Sequence, residues 1–286
     1  MHLELGDNQY GKAETRLVRV DRAGEAHRVT DLTVTTTLAG DLAATHLTGD
    51  NSGVLPTDTQ KNTVYAFARD GVGQVEAFAL RLARHFVGSA PTITRARVAV
   101  EQHLWDRNPA NGHSFVRAAG TRTATAVSAE GGEWVLSGVT DLTVLNTTGS
   151  EFHGFHRDRF TTLAETTDRV LATAVTARWR HRDTERTDWK TAFSGARQRL
   201  LTAFADTHSL SLQQTLHAMG TQVLEGDEHL AEIRLSLPNK HHFLVDLSPF
   251  ELDNPGEVFY AADRPYGLIE GTVLRDDAPD PGLAWW

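Results

Sequence analysis

Residues 56–65, PTDTQKNTVY, place hydroxyl, carboxylate and amide side chains at the predicted start of a helix. Thr57 is followed three residues later by Gln60, which is the spacing of a capping box, and the plain interpretation is that Thr57 only caps the helix. A helix start also presents free backbone N–H groups and a partial positive charge, so it can hold a planar anion. On this second interpretation we expect the Thr57 hydroxyl to face a reacting atom and Asp58 to contribute its N–H more than its carboxylate.

Two further places carry side chains that could take part in chemistry. Residues 237–243, LPNKHHF, join two predicted strands, so Asn239 and His241 lie on a connection of the kind that often carries function. The plain alternative is a polar turn. Lys12 comes just before the first predicted strand, where a lysine is ordinarily a solvated surface residue. Neither place identifies a reaction by itself.

Three isolated side chains allow the same two interpretations. Arg169 would ordinarily be a surface ion-pair partner, and Gln213 would ordinarily be a partly exposed helix residue beside an apolar stripe. Phe152 would ordinarily belong to the core. Taken alone, none of the three indicates a binding site.

Hydrophobic periodicity predicts the elements that must position these residues. Alternation of polar residues with Thr, Val and other apolar residues predicts strands at 13–20, 28–38, 92–105, 114–127, 134–145, 169–179, 231–237, 243–247, 258–260 and 268–274. Apolar stripes of period 3.6 predict one helix that begins at residue 57 and others at 75–86, 189–204 and 212–223. The segment between the second strand and Pro56 is a predicted loop.

The predicted order strand-strand-helix-helix-strand-strand occurs twice. It indicates an α+β fold of two tandem units, residues 1–131 and 132–286, each with an antiparallel sheet that carries a helix pair on one face. Such a sheet leaves its edges open, and contact with other subunits would close them. We therefore expect the chain to self-associate.

The composition excludes several classes of protein. The chain has 286 residues, 40% of them hydrophobic, a net charge of −9 and no cysteine, which argues against nucleic acid and anionic membranes as partners and excludes thiolate and iron–sulfur sites. Without a membrane-length apolar run or a signal peptide, a soluble cytoplasmic protein is expected. The pairs His153/His156 and His241/His242 are possible metal ligands. No His-Glu-x-x-His or nucleotide-binding motif is present, so we expect neither a metal site nor a nucleotide cofactor.

Six stretches, taken together and in this order, resemble the urate oxidases (uricases), especially the bacterial members of that family. They run along nearly the whole chain and comprise residues 8–12, 56–65, 148–155, 161–169, 235–243 and 266–269. The resemblance implies two tunnelling-fold units per chain, assembled as a homotetramer around a barrel-like tunnel with active sites shared between subunits. It also implies that urate is oxidised by O2 and water to 5-hydroxyisourate and H2O2 without a cofactor.

The resemblance assigns a role to each candidate residue. Phe152 should stack on the purine, Arg169 should bind the urate anion as a planar fork, and Gln213 should pair with the pyrimidine edge. Asn239 should hold O2 or water above the ring. Thr57, Lys12 and His241 should form a proton relay, and Thr57 should also touch the substrate. Asp58 and Leu212 should contribute backbone contacts to the substrate, and Ile269 should line the pocket.

Two other functions are open alternatives. One is a non-catalytic purine-binding protein of the same fold, which would bind urate without O2 uptake. Thr57, Lys12 and His241 argue against it, because binding alone would not need them. The other is a metal-dependent pterin or purine hydrolase on a related tunnelling fold, which would contain zinc. The sequence departs from the family pattern at Leu212, where Val is usual, and after Leu274.

Overall fold

Ten strands and five α-helices make up the computed structural model, which describes residues 3–185, 188–262 and 264–286. The strands are β1 (Tyr10–Asp21), β2 (Arg28–Gly40), β3 (Ile93–Arg107), β4 (Phe115–Ala129), β5 (Gly132–Asn146), β6 (Leu171–His181), β7 (Leu230–Pro238), β8 (His242–Leu244), β9 (Phe259–Ala261) and β10 (Leu268–Leu274). The α-helices are α1 (Ala43–Thr48), α2 (Thr57–Asp70), α3 (Val75–Val87), α4 (Trp189–Asp206) and α5 (Leu212–Glu225), and a short 3-10 helix covers Ser248–Phe250.

Eight of the strands form one antiparallel sheet in the order β1-β2-β3-β4-β5-β6-β7-β10. In β3 the residues Ala96, Val98 and Val100 are at most 1% exposed, while Arg95 and Arg97, which alternate with them, are half-buried on the other face. This period of two is typical of a sheet that carries a hydrophobic core on one side. The β4–β5 pair, joined by a turn at residues 130–131, makes the sheet continuous across the middle of the chain.

The predicted order of strands and helices occurs twice in the structure. Helices α2 and α3 pack mainly against β1, β3 and β4, and helices α4 and α5 pack against β5, β7 and β10. In α3 the apolar stripe formed by Phe78, Ala79, Leu82 and Phe86 is completely buried, as the 3.6-residue period predicts. One hydrophobic cluster draws on residues 32–135 with Trp189, and a second draws on residues 139–273. The division of the chain at residue 131 stays a prediction.

The predicted elements differ from the structure in two regions. The predicted loop before Pro56 contains helix α1. The predicted strands at 243–247 and 258–260 are the short strands β8 and β9, which form a separate two-stranded sheet, and β10 is the last strand of the large sheet. Burial explains why β10 and not β8 follows β7 in the large sheet. Strand β10 packs Ile269 and Val273 on the second cluster, whereas Phe243 and Leu244 of β8 remain more than half exposed.

The C-terminal segment crosses the face of the sheet that carries no helices. Arg180 donates a hydrogen bond to the carbonyl of Pro279 at 2.8 Å. The guanidinium carbon of Arg234 lies 3.7 Å from the ring centre of Trp285, and that of Arg95 lies 4.1 Å from the ring centre of Trp286. These cation–π contacts join β7 in the second half of the chain to β3 in the first half.

The edges of the large sheet are β1 and β10. In the described part of the chain, each pairs with a neighbour on one side only, β2 and β7 respectively. An unpaired strand edge presents a row of N–H and C=O groups that another strand can use. The structure therefore retains the open edges that the sequence predicts.

Replacing Glu76 by Gln should strongly destabilise the fold. Glu76 of α3 is fully buried, and its two carboxylate oxygens accept hydrogen bonds from Arg122 on β4 at 2.7 Å and from Ser137 on β5 at 2.8 Å. Removing one partner of a buried ion pair costs about 3–5 kcal/mol, because the other charge is left uncompensated. Chemical denaturation should show this loss for Glu76→Gln.

The exposed pair Arg69–Asp70 provides the matched control for this measurement. Asp70→Asn makes the same chemical change at a side chain that is 73% exposed, where water already screens the charge. Its unfolding free energy should stay near that of the unmodified protein. Equal losses in Glu76→Gln and Asp70→Asn would contradict this account of the core.

Candidate active site

A cavity of about 560 Å³ lies beside the end of β5, the start of β6 and the end of β7, in the second half of the chain. Its volume is in the range of small-molecule sites. Four predicted site residues line it together: Phe152, Arg169, Asn239 and His241. The remaining wall is formed by Thr147, Leu163, Ala164, Thr166, Asp168, Val170, His242, Phe243, Leu244, Pro255, Gly256 and Phe259.

Phe152 and Arg169 form a platform with an apolar face and a positive charge beside it. Backbone hydrogen bonds with Thr166, at 2.9 and 3.1 Å, hold Phe152 in place. Arg169 Nε donates to Ser150 Oγ at 3.1 Å, and its guanidinium carbon lies 5.3 Å from the centre of the Phe152 ring. No hydrogen bond joins the terminal NH2 groups of Arg169 to another described residue, so this half of the fork is available for a planar anion.

Asn239 and His241 lie on the connection between β7 and β8. Asn239 donates its backbone N–H to the carbonyl of Gly267 at 2.8 Å, which fixes the start of the connection beside the strand that leads to β10. The His241 ring stacks on Phe243 with centres 5.7 Å apart and planes 23° apart. This predicted loop is therefore ordered by backbone and ring contacts, and it presents two polar side chains to the cavity.

Burial, then the nearby charge of Arg169 and then that of His242 lower the pKa of His241 below its usual value. A desolvated imidazole next to a cation resists taking up a second proton. His241 is therefore neutral over a wider pH range than a free histidine, and its neutral ring has one nitrogen that donates a hydrogen bond and one that accepts. Burial also lowers the pKa of Arg169, but a guanidinium keeps its charge at any physiological pH.

Three more predicted residues lie at the same end of the molecule without lining the cavity. Ser211 caps helix α5 by accepting the N–H of Gln214 at 3.2 Å, which leaves Gln213 exposed on the first turn and Leu212 buried. Ile269 of β10 packs against the second hydrophobic cluster. The segment that carries Phe152 is tied to the start of α5 by hydrogen bonds between residues 149–151 and 209.

The start of α2 differs from the predicted capping box. Pro56 occupies the N-cap position and Thr57 is the first helical residue. Gln60 is fully buried, and its side-chain oxygen accepts a hydrogen bond from Thr36 instead of from a backbone N–H at the helix start. The interpretation of Thr57 as a cap is thus wrong, and its hydroxyl makes no hydrogen bond with any other described residue. The physical reason is the proline, which fixes the entry of the chain into the helix.

Asp58 turns its carboxylate away from the helix end. The carboxylate pairs with Lys61 and accepts a hydrogen bond from Asn62 at 2.9 Å. The contact with Lys61 lowers the pKa of Asp58, and the charge of Lys12 lowers it further. Strand β1, which carries Lys12, packs against α2. Lys12, Thr57 and the backbone of Asp58 therefore form a second group of predicted residues.

The two groups lie in opposite halves of the sheet. Lys12 is on the edge strand β1, whereas Phe152 follows β5, Arg169 precedes β6, and Asn239 and His241 follow β7. These three strands are four to six places from β1 in the sheet order, which at about 4.8 Å per strand is about 19–29 Å along the sheet. The structure thus brings Phe152, Arg169, Asn239 and His241 together but leaves Lys12 and Thr57 far from them within one chain.

Sequence reasoning missed the serines that support the platform. Ser150 is fully buried and accepts the Arg169 hydrogen bond, and Ser209, 1% exposed, pairs with it through a backbone bridge. Ser150 lies two residues before Phe152, but nothing in the local sequence distinguishes it from a surface loop serine. Its role depends on long-range pairing.

The candidate metal ligands do not converge. His153 hydrogen-bonds Glu151 at 2.8 Å, and His242 hydrogen-bonds the carbonyl of Lys240 at 3.0 Å. In residues 3–185, 188–262 and 264–286 no group of three or more His, Asp or Glu side chains could hold a metal ion. Over the same ranges, no helix combines the length and the apolar character that crossing a membrane requires.

Comparisons with known proteins agree with this arrangement. The family model described as Uricase matches residues 8–128 and 135–270. The uricase of Arthrobacter globiformis is 55% identical over 98% of this chain and 93% of its own, and the uricase of Dictyostelium discoideum is 39% identical over 95% and 97%. The chain belongs to the uricase family.

The solved structures place the fold in the same family. The crystal structure of Arthrobacter globiformis uricase has a TM-score of 0.94 with 53% identity and covers 98% of this chain and 97% of that one. The urate oxidase of Bacillus sp. TB-90 has a TM-score of 0.82 at 22% identity over 94% of this chain and all of its own, a likeness of fold alone. The predicted α+β tunnelling fold is confirmed.

Removing the charge of Arg169 should raise the pKa of His241. In Arg169→Gln the repulsion between guanidinium and imidazolium disappears, so the protonated ring becomes easier to form, while the depression caused by burial remains. NMR titration of the labelled imidazole should detect this rise. Arg157→Gln, which removes an exposed arginine next to Phe155, is the control and should leave the titration of His241 unchanged. An identical His241 pKa in Arg169→Gln and the unmodified protein would disprove the electrostatic coupling.

Proposed function

We propose that this uricase builds each active site from two subunits, with one group of residues from each. Its reaction is the oxidation of urate by O2 and water to 5-hydroxyisourate and H2O2. The feature that carries the proposal is the division of the site residues between the β1 edge and the part of the sheet around β5, β6 and β7. Neither part alone has both the anion platform and the Lys12–Thr57 pair.

The open edges explain why the two groups can meet. If β1 of one subunit approaches β10 of another, the helix start with Thr57 and Asp58 comes next to the cavity around Arg169. Pairing also satisfies the outer backbone groups of both edge strands. Repetition of the contact closes the two-unit sheets, residues 1–131 and 132–286, into a barrel. A homotetramer around a tunnel is the assembly that we infer.

Urate binding uses flatness and charge. The ring of Phe152 offers an apolar face for the purine, and the free half of the Arg169 guanidinium offers two parallel N–H donors. Gln213 has both a donor and an acceptor for the pyrimidine edge. Backbone groups at Asp58 and Leu212 and the side chain of Ile269 complete the pocket. A net charge of −9 disfavours anions at long range, so this local positive charge is needed.

The chemistry requires proton removal and placement of O2. Urate that has lost a further proton is electron-rich enough to reduce O2, which becomes H2O2 after gaining two electrons and two protons. Water adds to the oxidised purine and gives 5-hydroxyisourate, so the atoms of urate, O2 and H2O balance those of the two products. Asn239 holds O2 and then water above the ring. Lys12, Thr57 and His241 take up and return the protons.

The test of the proposal is turnover of urate by the assembled protein. The urate consumed, the O2 taken up and the H2O2 released should be equal in molar amount. The rate should not change after treatment with a chelator. Analytical ultracentrifugation of the same sample should give a tetramer. Folded, assembled protein that binds urate without consuming O2 would reject the enzyme and favour the purine-binding alternative.

Substitutions should separate binding from proton transfer. Arg169→Gln should raise KM by about 100-fold or more, because a charge-assisted double contact to the anion is lost. Lys12→Ala and Thr57→Ala should instead lower kcat by about 100-fold or more with a smaller change in KM. Arg157→Gln is a control with wild-type kinetics. Equal effects of all three site variants on KM alone would refute this division of roles.

A further inference from the structure

The edge strand β1 loses its regular pairing at Lys12. Between Lys12 and Thr15 one extra residue stands opposite β2, which is a β-bulge, and Glu14 has a φ of 53°. Two hydroxyls of β2 accept the N–H groups of this stretch: Thr36 Oγ1 from Lys12 at 3.3 Å and Thr35 Oγ1 from Glu14 at 3.0 Å. The backbone at Lys12 is therefore held by side chains of β2.

The hydroxyl of Thr36 continues this connection to helix α2. Thr36 is 1% exposed, and its hydroxyl donates to Gln60 Oε1 at 2.6 Å. Gln60 is fully buried, and its Nε2 donates to the carbonyl of Leu55 at 3.4 Å. The bond that Gln60 forms inside the core explains why it does not complete a capping box.

Tyr10 completes the connection from the other side. Its hydroxyl donates to the carbonyl of Leu55 at 3.0 Å and accepts the N–H of Leu55 at 2.9 Å. Burial raises the pKa of Tyr10 above its usual value, so the phenol stays protonated and keeps its donor. The result is a ring in which hydrogen bonds run from Tyr10 through Leu55, Gln60 and Thr36 to the N–H of Lys12, and the β1 backbone between Lys12 and Tyr10 closes it.

The ring joins the two places that carry the proton relay. Tyr10 and Lys12 are two residues apart on β1, and Leu55 and Thr57 are two residues apart at the start of α2. Loss of one member of a buried polar ring leaves its neighbour without a partner, which is costly, so the members hold one another in place. The position of Lys12 relative to Thr57 is thus fixed by the buried side chains of Thr36 and Gln60, which the substrate does not touch.

We propose that Thr36 and Gln60 are positioning residues for urate oxidation, which hold Lys12 and Thr57 at the separation that proton transfer requires. The inference rests on the proposed function, because the relay at Lys12 and Thr57 is taken from it. Both side chains are buried, so they act through the β1 bulge and the start of α2. A displacement of about 1 Å in a reacting group can lower a rate by about 100-fold.

The variant Thr36→Val tests this inference, because it keeps the shape of the side chain and removes the hydroxyl. Its kcat should fall about 10- to 100-fold while KM stays within about twofold, and the pH profile of kcat should shift. Thr36→Ser restores the hydroxyl and should restore kcat. In a Lys12→Ala background, Thr36→Val should lower kcat no further. Hydrogen exchange at the Lys12 amide should accelerate in Thr36→Val, a readout that is independent of turnover.

Ser137→Ala is the control for the loss of a buried hydroxyl. Ser137 lies on β5, four strands away from β1, and its hydroxyl donates to Glu76 of α3 at 2.8 Å. Ser137→Ala should therefore lose stability and keep its kcat. An unchanged kcat in Thr36→Val would overturn this inference and leave the proposed function intact. An equal fold-loss of kcat from Thr36→Val in the wild-type and Lys12→Ala backgrounds would do the same. Wild-type kcat in Lys12→Ala would overturn both the inference and the relay of the proposed function.

Discussion

An antiparallel sheet with two unpaired edges cannot satisfy its own outermost backbone groups, and this constraint governs the rest of the molecule. The described chain pairs eight strands and leaves β1 and β10 each with one open side. Helices α2 and α5 pack against β1 and β10, but in the described residues no backbone hydrogen bond joins either helix to its edge strand. In the proposed assembly, association with other subunits removes both edges and brings the Lys12–Thr57 group next to the cavity around Arg169. Assembly and catalysis would then depend on the same contact.

Electrostatics within the chain favour an anion in the cavity and a neutral imidazole beside it. Arg169 keeps a free fork over Phe152. Burial and then the charge of Arg169 lower the pKa of His241, which favours the neutral imidazole. Beside the β1 edge, Asp58 directs its carboxylate to Lys61 and leaves the helix start positive. Each of the two groups therefore supplies part of what a flat anion needs, although the protein as a whole is negatively charged.

Local periodicity predicted the order of strands and helices because each pattern depends on near neighbours. The stripe of α3 and the alternation of β3 needed no knowledge of distant residues. The predictions that failed depended on distant contacts. Gln60 fits a capping box by spacing, but Thr36, which lies 24 residues earlier, binds it in the core. Likewise, β8 and β10 are both apolar, and only packing on the second cluster shows that β10 joins the sheet.

The resemblance to uricases identified the candidate residues and implied shared sites, but it did not show which residues each part of one chain holds together. That distribution is the central claim, and subunit complementation tests it most directly. Thr57→Ala and Arg169→Ala, each nearly inactive, would be co-expressed with different tags, and the doubly tagged oligomers would be assayed. If each site takes Thr57 from one subunit and Arg169 from another, about one quarter of the sites in a random mixture regain both residues and activity returns. Activity no greater than that of the two parents would contradict the shared site.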